Sequence, residues 1–493
     1  MIWISLLLLG LILYFIVQYG VARVTRTPWW ILWLVLMMPA FLMGFWAATH
    51  TDEEPIPAEL LVGGFLISSI LYIVLVQKNR RTPPAQTVST ELADKLANPP
   101  APSPTRLLNS DEEGQLQHCF PWSVYYLQEI DHRPQAVICR GQLRSQPEAA
   151  YQKIQDNIHQ HFGDRFLVIF QQGAQNKPFF VLVPNPQAQP SAKRAPISRP
   201  GLALGLLFAT LVTTTLAGLS LAQPNLTESL LRDNPDLLLA GLPYAIALLA
   251  ILGTHEMGHY FTARWYKIKA SLPYFIPVPF AFGTFGAFIR MRAPVPDRKA
   301  LFDVGIAGPL AGLAITLPIL VWGLMQSTLV DLPEQPQMLS PEAFNPRLSI
   351  LFTLISRAVF GGELSLSHAI ALHPIAIAGW LGLIVTALNL MPVGQLDGGH
   401  IVHAMYGQRM GAIIGQVSRI LVLLLSLVQP ILLFWAIILL FMPAIDEPTL
   451  NDVSELDNGR DILGLVALAI LLVIILPVPN AMTPLLFSAN PLP

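Results

Sequence analysis

Charge is scarce in this sequence. Only 12% of its 493 residues are Asp, Glu, Lys or Arg, 53% are hydrophobic and the mean hydropathy is +0.54. A soluble domain carries roughly 25% charged residues, so this composition excludes an ordinary soluble enzyme. Neither sign of charge dominates: the net charge is −2, which gives no reason to expect nucleic acid as a partner. Cysteine is scarcer still. Cys119 and Cys139 stand alone outside any CxxC spacing, which excludes a disulfide framework and a thiolate metal site. Both are expected to be reduced. No repeat of fixed period is visible.

What the chain has instead is apolar runs near the ~20 residues that cross a bilayer. The expected fold is mainly α: a polytopic α-helical membrane protein of about nine spans with a small α+β soluble domain. Three runs, about 1–20, 29–49 and 58–77, fill an N-terminal region 1–81. The first lacks a basic n-region and a small-residue cleavage site, so it reads as a retained helix. Arg23, Arg26 and Lys78 to Arg81 alternate with an acidic stretch at 52–59, which puts the basic ends in the cytoplasm or stroma.

A Pro-rich linker is expected over 82–114. Residues 115–186 read as the α+β domain on the cytoplasmic or stromal side. "AVICRG", "RFLVIFQQ" and "PFFVLVP" suggest strands, and Tyr151, Ile154, Ile158 and Phe162 mark one helical face. A second linker, 187–200, leads to a membrane core at 201–442, with spans near 201–222, 238–263, 301–326, 372–391 and 411–442. The run from 411 contains Pro430 and reads as one kinked helix or two elements. An acidic loop and a last span near 462–477 complete 443–493.

One apolar run contains what it should not. In "LLAILGTHEMGHYFTARW" (Leu248 to Trp265), His255, Glu256 and His259 interrupt a stretch with no other acidic or basic residue from Leu237 to Thr262. Ionisable groups inside a membrane helix mark function by default. On a helix, His255 and His259 share a face and can reach one ion, and Glu256 sits beside it, placed to take a proton from water. Two imidazoles leave a catalytic zinc site one ligand short. "NLMPVGQLDGGH" (Asn389 to His400) offers Asp397, the lone acidic residue between Glu363 and Asp446. Taken alone, Asp397 reads equally as a helix cap. His400 reads as a partner that orients a ligand or as a turn residue. His368 and His373 read as interfacial polar residues.

"HEMGH" and "NLMPVGQLDG" together resemble the site-2 protease family of intramembrane zinc metalloproteases, whose marks are HExxH and NxxPxxxLDG. The resemblance covers roughly 200–442. It implies that His255, His259 and Asp397 hold one Zn2+ per chain, that Glu256 is the catalytic base, and that Asn389 positions the substrate peptide. It also implies that "GIAGP", with Gly305, Gly308 and Pro309, packs the catalytic helices. "FGTFGAFI", with Gly283 and Gly286, would be the membrane-embedded loop that guides an extended substrate. The layout further resembles the chloroplast and cyanobacterial ethylene-dependent gravitropism-deficient and yellow-green branch. "GQLR" (Gly141 to Arg144) is similar to a segment of that branch, with Gln142 where its pattern has asparagine.

Implied partners are the lipid bilayer and membrane proteins cut within their transmembrane segments, as in regulated intramembrane proteolysis; a homo-oligomer stays open. The implied location is a bacterial, in particular cyanobacterial, plasma or thylakoid membrane, or a chloroplast membrane, with the site facing cytoplasm or stroma. The competing readings are an intramembrane metal transporter, an inactive scaffold, and a zinc hydrolase acting on a lipid-phase ester or amide. A transporter favours several intramembrane acidic groups or matching broken helices, whereas this core has one Glu in its second span and one Asp at its fourth. An inactive relative would have lost Glu256.

Overall fold

The computed structural model describes residues 27–49, 107–173, 177–185, 199–223, 234–279, 282–332, 341–426, 431–443 and 445–487, with a few isolated positions besides. The expected first and third N-terminal spans, most of both linkers, and Pro430 lie outside the described residues. The chain divides into two units, Met1–Ser103 and Pro104–Pro493.

In the first unit, helix α1 (Trp29–Thr49) carries no charged side chain and has Pro39 in its interior. Proline has no N–H to give the carbonyl four residues earlier, which here belongs to Val35. The Ser68 hydroxyl donates to that carbonyl at 2.7 Å, so the backbone stays satisfied in an apolar surrounding.

The second unit opens with an α+β region. Helix α2 (Ser110–His118) lies partly inside the expected linker, because Asn109 and Glu112 form a capping box that polar composition alone does not reveal. Strands β1 (Tyr125–Arg133) and β2 (Ala136–Leu143), helix α3 (Pro147–Phe162), and strands β3 (Phe166–Gln172) and β4 (Pro178–Pro184) follow. The antiparallel sheet has the order β1-β2-β4-β3. Tyr151, Ile154 and Ile158 of α3 are buried with Phe170 and Phe180, whose rings stack at 4.1 Å. No sequence signal marked β1: its register shifts between Leu127 and Glu129, which breaks the alternation of its faces halfway along.

The helical core comprises α4 (Pro200–Ala222), α5 (Leu242–Trp265), the hairpin β5 (Tyr274–Pro277) and β6 (Thr284–Phe288), and α6 (Arg298–Leu324). Next come β7 (Thr328–Asp331), α7 (Ile350–Phe360), β8 (His368–Ala371), α8 (Pro374–Leu390), α9 (Asp397–Leu425), α10 (Ile431–Phe441) and α11 (Asn458–Ile475). Among the described residues, six helices are long and apolar enough to cross a membrane: α1, α4, α5, α6, α9 and α11. Helix α8 is shorter, at 17 residues. Hydropathy does not mark α7. Its 11 residues are too few to span, and Ser356 and Arg357 interrupt its apolar pattern.

Helix α6 is the central post, and small residues let its neighbours approach closely. A Cβ on Gly379 of α8 would lie 2.7 Å from the Leu320 backbone, and one on Gly258 of α5 would lie 2.6 Å from the Ala307 carbonyl. The segment after α10, expected as an acidic loop, is packed against two other stretches of the chain. The Phe170 N–H donates to the Leu450 carbonyl at 2.7 Å and the Asp452 N–H to the Phe170 carbonyl at 2.9 Å, so the segment runs parallel to the edge strand β3. On its other side, the N–H groups of Leu450 and Asn451 donate to the carbonyls of Val295 and Pro296, both at 2.9 Å. Val453 is buried in the core of the α+β region.

Candidate metal centre

Helix α5 brings His255 and His259 onto one face one turn apart, both buried, with Glu256 between them and also buried. The third member arrives from the far end of the core. Helix α8 ends at Leu390 and the chain reverses over six residues, with Gly394 at φ +52°, before α9 starts at Asp397. A Cβ on Gly398 would sit 2.0 Å from the Leu390 carbonyl, so this tight reversal requires glycine there. Asn389 and Asp397 therefore return to the same place, which is the physical content of the NxxPxxxLDG spacing.

The three potential ligand atoms form a nearly equilateral triangle. His255 Nε2 and His259 Nε2 are 3.2 Å apart, and Asp397 Oδ2 is 3.4 Å from the first and 3.2 Å from the second. Ligands at ~2.0–2.1 Å around a tetrahedral zinc are separated by about 3.3–3.4 Å. The triangle fits one face of such a tetrahedron and leaves the fourth position open. Two imidazoles and a carboxylate are also a donor set that suits zinc. His259 Nδ1 donates to the Val304 carbonyl at 2.7 Å. That bond fixes the tautomer and turns the Nε2 lone pair toward the other two groups.

Room for both rings comes from α6. A Cβ on Gly308 would lie 2.1 Å from His259 Nε2, and one on Gly312 would lie 3.1 Å from His255 Cβ. Gly305 faces the start of α9, where a Cβ would lie 3.1 Å from His400 Cβ, and Pro309 is buried beside this glycine face. The sequence reading stopped at Pro309. The signal that extends it is the further glycine at position 312, one helical turn beyond Gly308.

Asn389 places its side-chain Nδ2 3.1 Å from His255 Nε2. Glu256 lies beside the backbone N–H of Ile289, immediately after β6. The β5–β6 hairpin is fastened to the helices: Thr213 Oγ1 donates to the Gly283 carbonyl at 2.7 Å and the Tyr244 hydroxyl to the Phe282 carbonyl at 3.0 Å. Gly283, at φ +84°, lies tight against Thr214, whereas Gly286, at φ +108°, has open space where a Cβ would be. β6 pairs with β5 on one edge, and no strand pairs with its other edge among the described residues.

His400 does not turn to Asp397. Its Nδ1 donates to Asp446 Oδ2 at 2.8 Å, and His403 Nδ1 donates to the same oxygen at 2.7 Å. His403 Nε2 donates to Asp452 Oδ1 at 2.8 Å. Burial pushes the Asp446 carboxyl up, but the hydrogen bonds from His400 and His403 outweigh it and hold the group at about 2. Sequence reasoning missed His403, Asp446 and Asp452, since only long-range pairing brings them together.

Trp265 closes α5 ten residues after His255 and six after His259, so the cluster lies about 9–15 Å along the helix from that end.

Comparison with known proteins agrees with this geometry. The model of peptidase family M50 matches residues 243–433, and that of the EGY3 middle domain matches 114–190. The chain is 28% identical over 370 residues to "Probable zinc metalloprotease EGY2, chloroplastic" of Oryza sativa subsp. indica, covering 74% of this chain and 66% of that protein. It is 30% identical over 380 residues to "Probable zinc metalloprotease EGY1, chloroplastic" of Arabidopsis thaliana, covering 70% and 66%. The chain thus spans about two thirds of the length of these relatives. No solved structure matches. With both of its motifs meeting at one cluster inside the matched region, the chain belongs to peptidase family M50, the site-2 protease family.

Proposed function

We propose that this chain is an intramembrane zinc metalloendopeptidase that cuts transmembrane segments of other membrane proteins. The observation that supports it most is the triangle of His255 Nε2, His259 Nε2 and Asp397 Oδ2, at mutual distances of 3.2–3.4 Å within apolar helices. Zinc, when bound, supplies the Lewis acidity that brings the pKa of water near neutrality and polarises a carbonyl. Glu256 accepts the proton of the attacking water at a carboxylate oxygen and returns it to the departing amine. Asn389 orients the peptide next to the metal ligands.

A membrane helix hides its peptide bonds, so a substrate must be extended before it is cut. The edge of β6 that no strand pairs with among the described residues suits strand addition, which would align an extended segment past Ile289 and Glu256. Gly286→Val crowds that edge and strains a backbone at φ +108°. It should slow cleavage with zinc content unchanged, and an unaltered rate would remove β6 from the mechanism.

The N-terminal runs bring the proposed total to about nine spans. The relatives' chloroplast assignment and the basic residues from Arg264 to Lys299 support a chloroplast or cyanobacterial membrane, with the soluble domain and the site toward stroma or cytoplasm. The deciding experiment compares membrane proteomes of cells carrying wild-type protein and Glu256→Gln. Intact membrane-spanning proteins should accumulate with the variant. If the two proteomes are identical, the protease reading fails.

A further inference from the structure

We infer that the segment 446–454 couples the soluble domain to the third metal ligand, with His403 as the positioning residue for the helix that carries Asp397. This rests on the zinc reading above. The start of α9 is mechanically a separate piece: Gly407, at φ +82°, breaks the helix after Tyr406. The short piece 397–406 is held by side chains outside it. Asp446 Oδ2 accepts from both His400 and His403, and Asp452 Oδ1 accepts from the other nitrogen of His403. Gln408 Nε2, just past the break, donates to the Asp446 carbonyl at 2.8 Å. The Arg298 guanidinium donates to the carbonyls of Ala404 and Met405, at 2.7 and 2.8 Å, at the far end of the piece.

All these holds lead back to one strap. Asp446 and Asp452 belong to it, and Arg298 follows Asp297, which bridges to Asn451. The strap is in turn bridged in parallel to Phe170 of β3 in the soluble domain, with Val453 buried in that domain's core. A change in how the soluble domain docks is therefore transmitted through the strap to His403. Because Asp397 begins the same short helical piece, its carboxylate moves relative to two imidazoles anchored on α5. The domain that carries no metal ligand thereby sets the geometry of the metal site.

The test uses the full chain in detergent micelles. Zn2+ affinity is measured against a competing chelator, and Co2+ is substituted to read its ligand-field absorption. His403→Phe removes both carboxylate contacts and should weaken Zn2+ binding roughly tenfold, as partners outside the ligand set do elsewhere, with a shifted Co2+ band. Asp452→Asn and Val453→Ser should shift the band in the same direction by less, although neither residue touches a ligand. If His403→Phe does not fold, these two decide. Variants with wild-type circular dichroism, wild-type Zn2+ affinity and an unshifted Co2+ band overturn the coupling. A wild-type chain that binds no Zn2+ would instead overturn the metal reading itself.

Discussion

Two buried clusters of histidine and aspartate meet helix α9, and their distances tell them apart. In the first, the nitrogens of His255 and His259 and an oxygen of Asp397 lie 3.2–3.4 Å from one another. In the second, each nitrogen of His400 and His403 that is engaged meets a carboxylate oxygen at 2.7–2.8 Å. The shorter distance is that of a charge-assisted hydrogen bond with its proton in place. The longer one is the edge of a coordination polyhedron, with lone pairs facing a common centre. The same residue types thus form a metal centre or a structural clamp according to whether lone pairs or protons point inward.

The strongest challenge to that contrast is His255→Ala. The wild-type chain should hold one zinc, none of it in the second cluster, and the variant should hold close to none, as read by atomic absorption after dialysis. Retention of one zinc by the variant would place the metal elsewhere. Glu256→Gln sharpens the first cluster from within. Zinc should remain at about one per chain while the cleavage rate falls by on the order of 10²–10⁴, the usual contribution of a general base.

Gly308→Ala comes next. Its new Cβ would lie 2.1 Å from His259 Nε2, so the imidazole must leave the triangle or α6 must shift. Overpacking of this kind costs about 1–3 kcal/mol, and a fall in zinc affinity with the protein still folded is expected in a chelator titration.

Acid should separate the clusters least severely. The Asp446 carboxyl is held at about 2, below its ordinary value of 3.8. The hydrogen bonds it receives therefore stabilise the fold fully above about pH 4, and that contribution, about 2 kcal/mol, is lost as the pH falls toward 2. Asp446→Asn should flatten this acid limb in a series of thermal melts, and an unchanged limb would count against the clamp.

The first cluster was legible in the sequence because its signals are local. His255 and His259 stand one turn apart, and Asn389 and Asp397 flank one chain reversal, so short spacings place the side chains. The clamp was not legible. Asp446 and Asp452 sit in a run that reads as an exposed acidic loop, and burial becomes visible only when Phe170, Val295 and Pro296 supply hydrogen-bond partners from three distant stretches. Strand β1 was missed because the register shift between Leu127 and Glu129 offsets its alternation by one residue, and α2 because a polar helix resembles a linker until its cap is seen. Hydropathy marks the helices at 200–222, 242–265, 298–324, 374–390 and 458–475, but the run expected from 411 starts instead at Asp397, because the polar and glycine-rich first turns of α9 hide its beginning, and α7 escaped for being too short.

On the proposed protease reading, the placement of the two imidazoles six and ten residues before the end of α5 would limit where a substrate is cut. A helix needs those same six to ten residues to descend 9–15 Å, whereas an extended chain, rising ~3.3 Å per residue, covers the distance in about three to five. A target that frays inward from the border on the side where α5 ends would thus deliver a peptide bond to the ion after losing only about a turn of helix. Cut positions should cluster just inside that border, and segments with weak helix formers there should be preferred over uniformly stable ones.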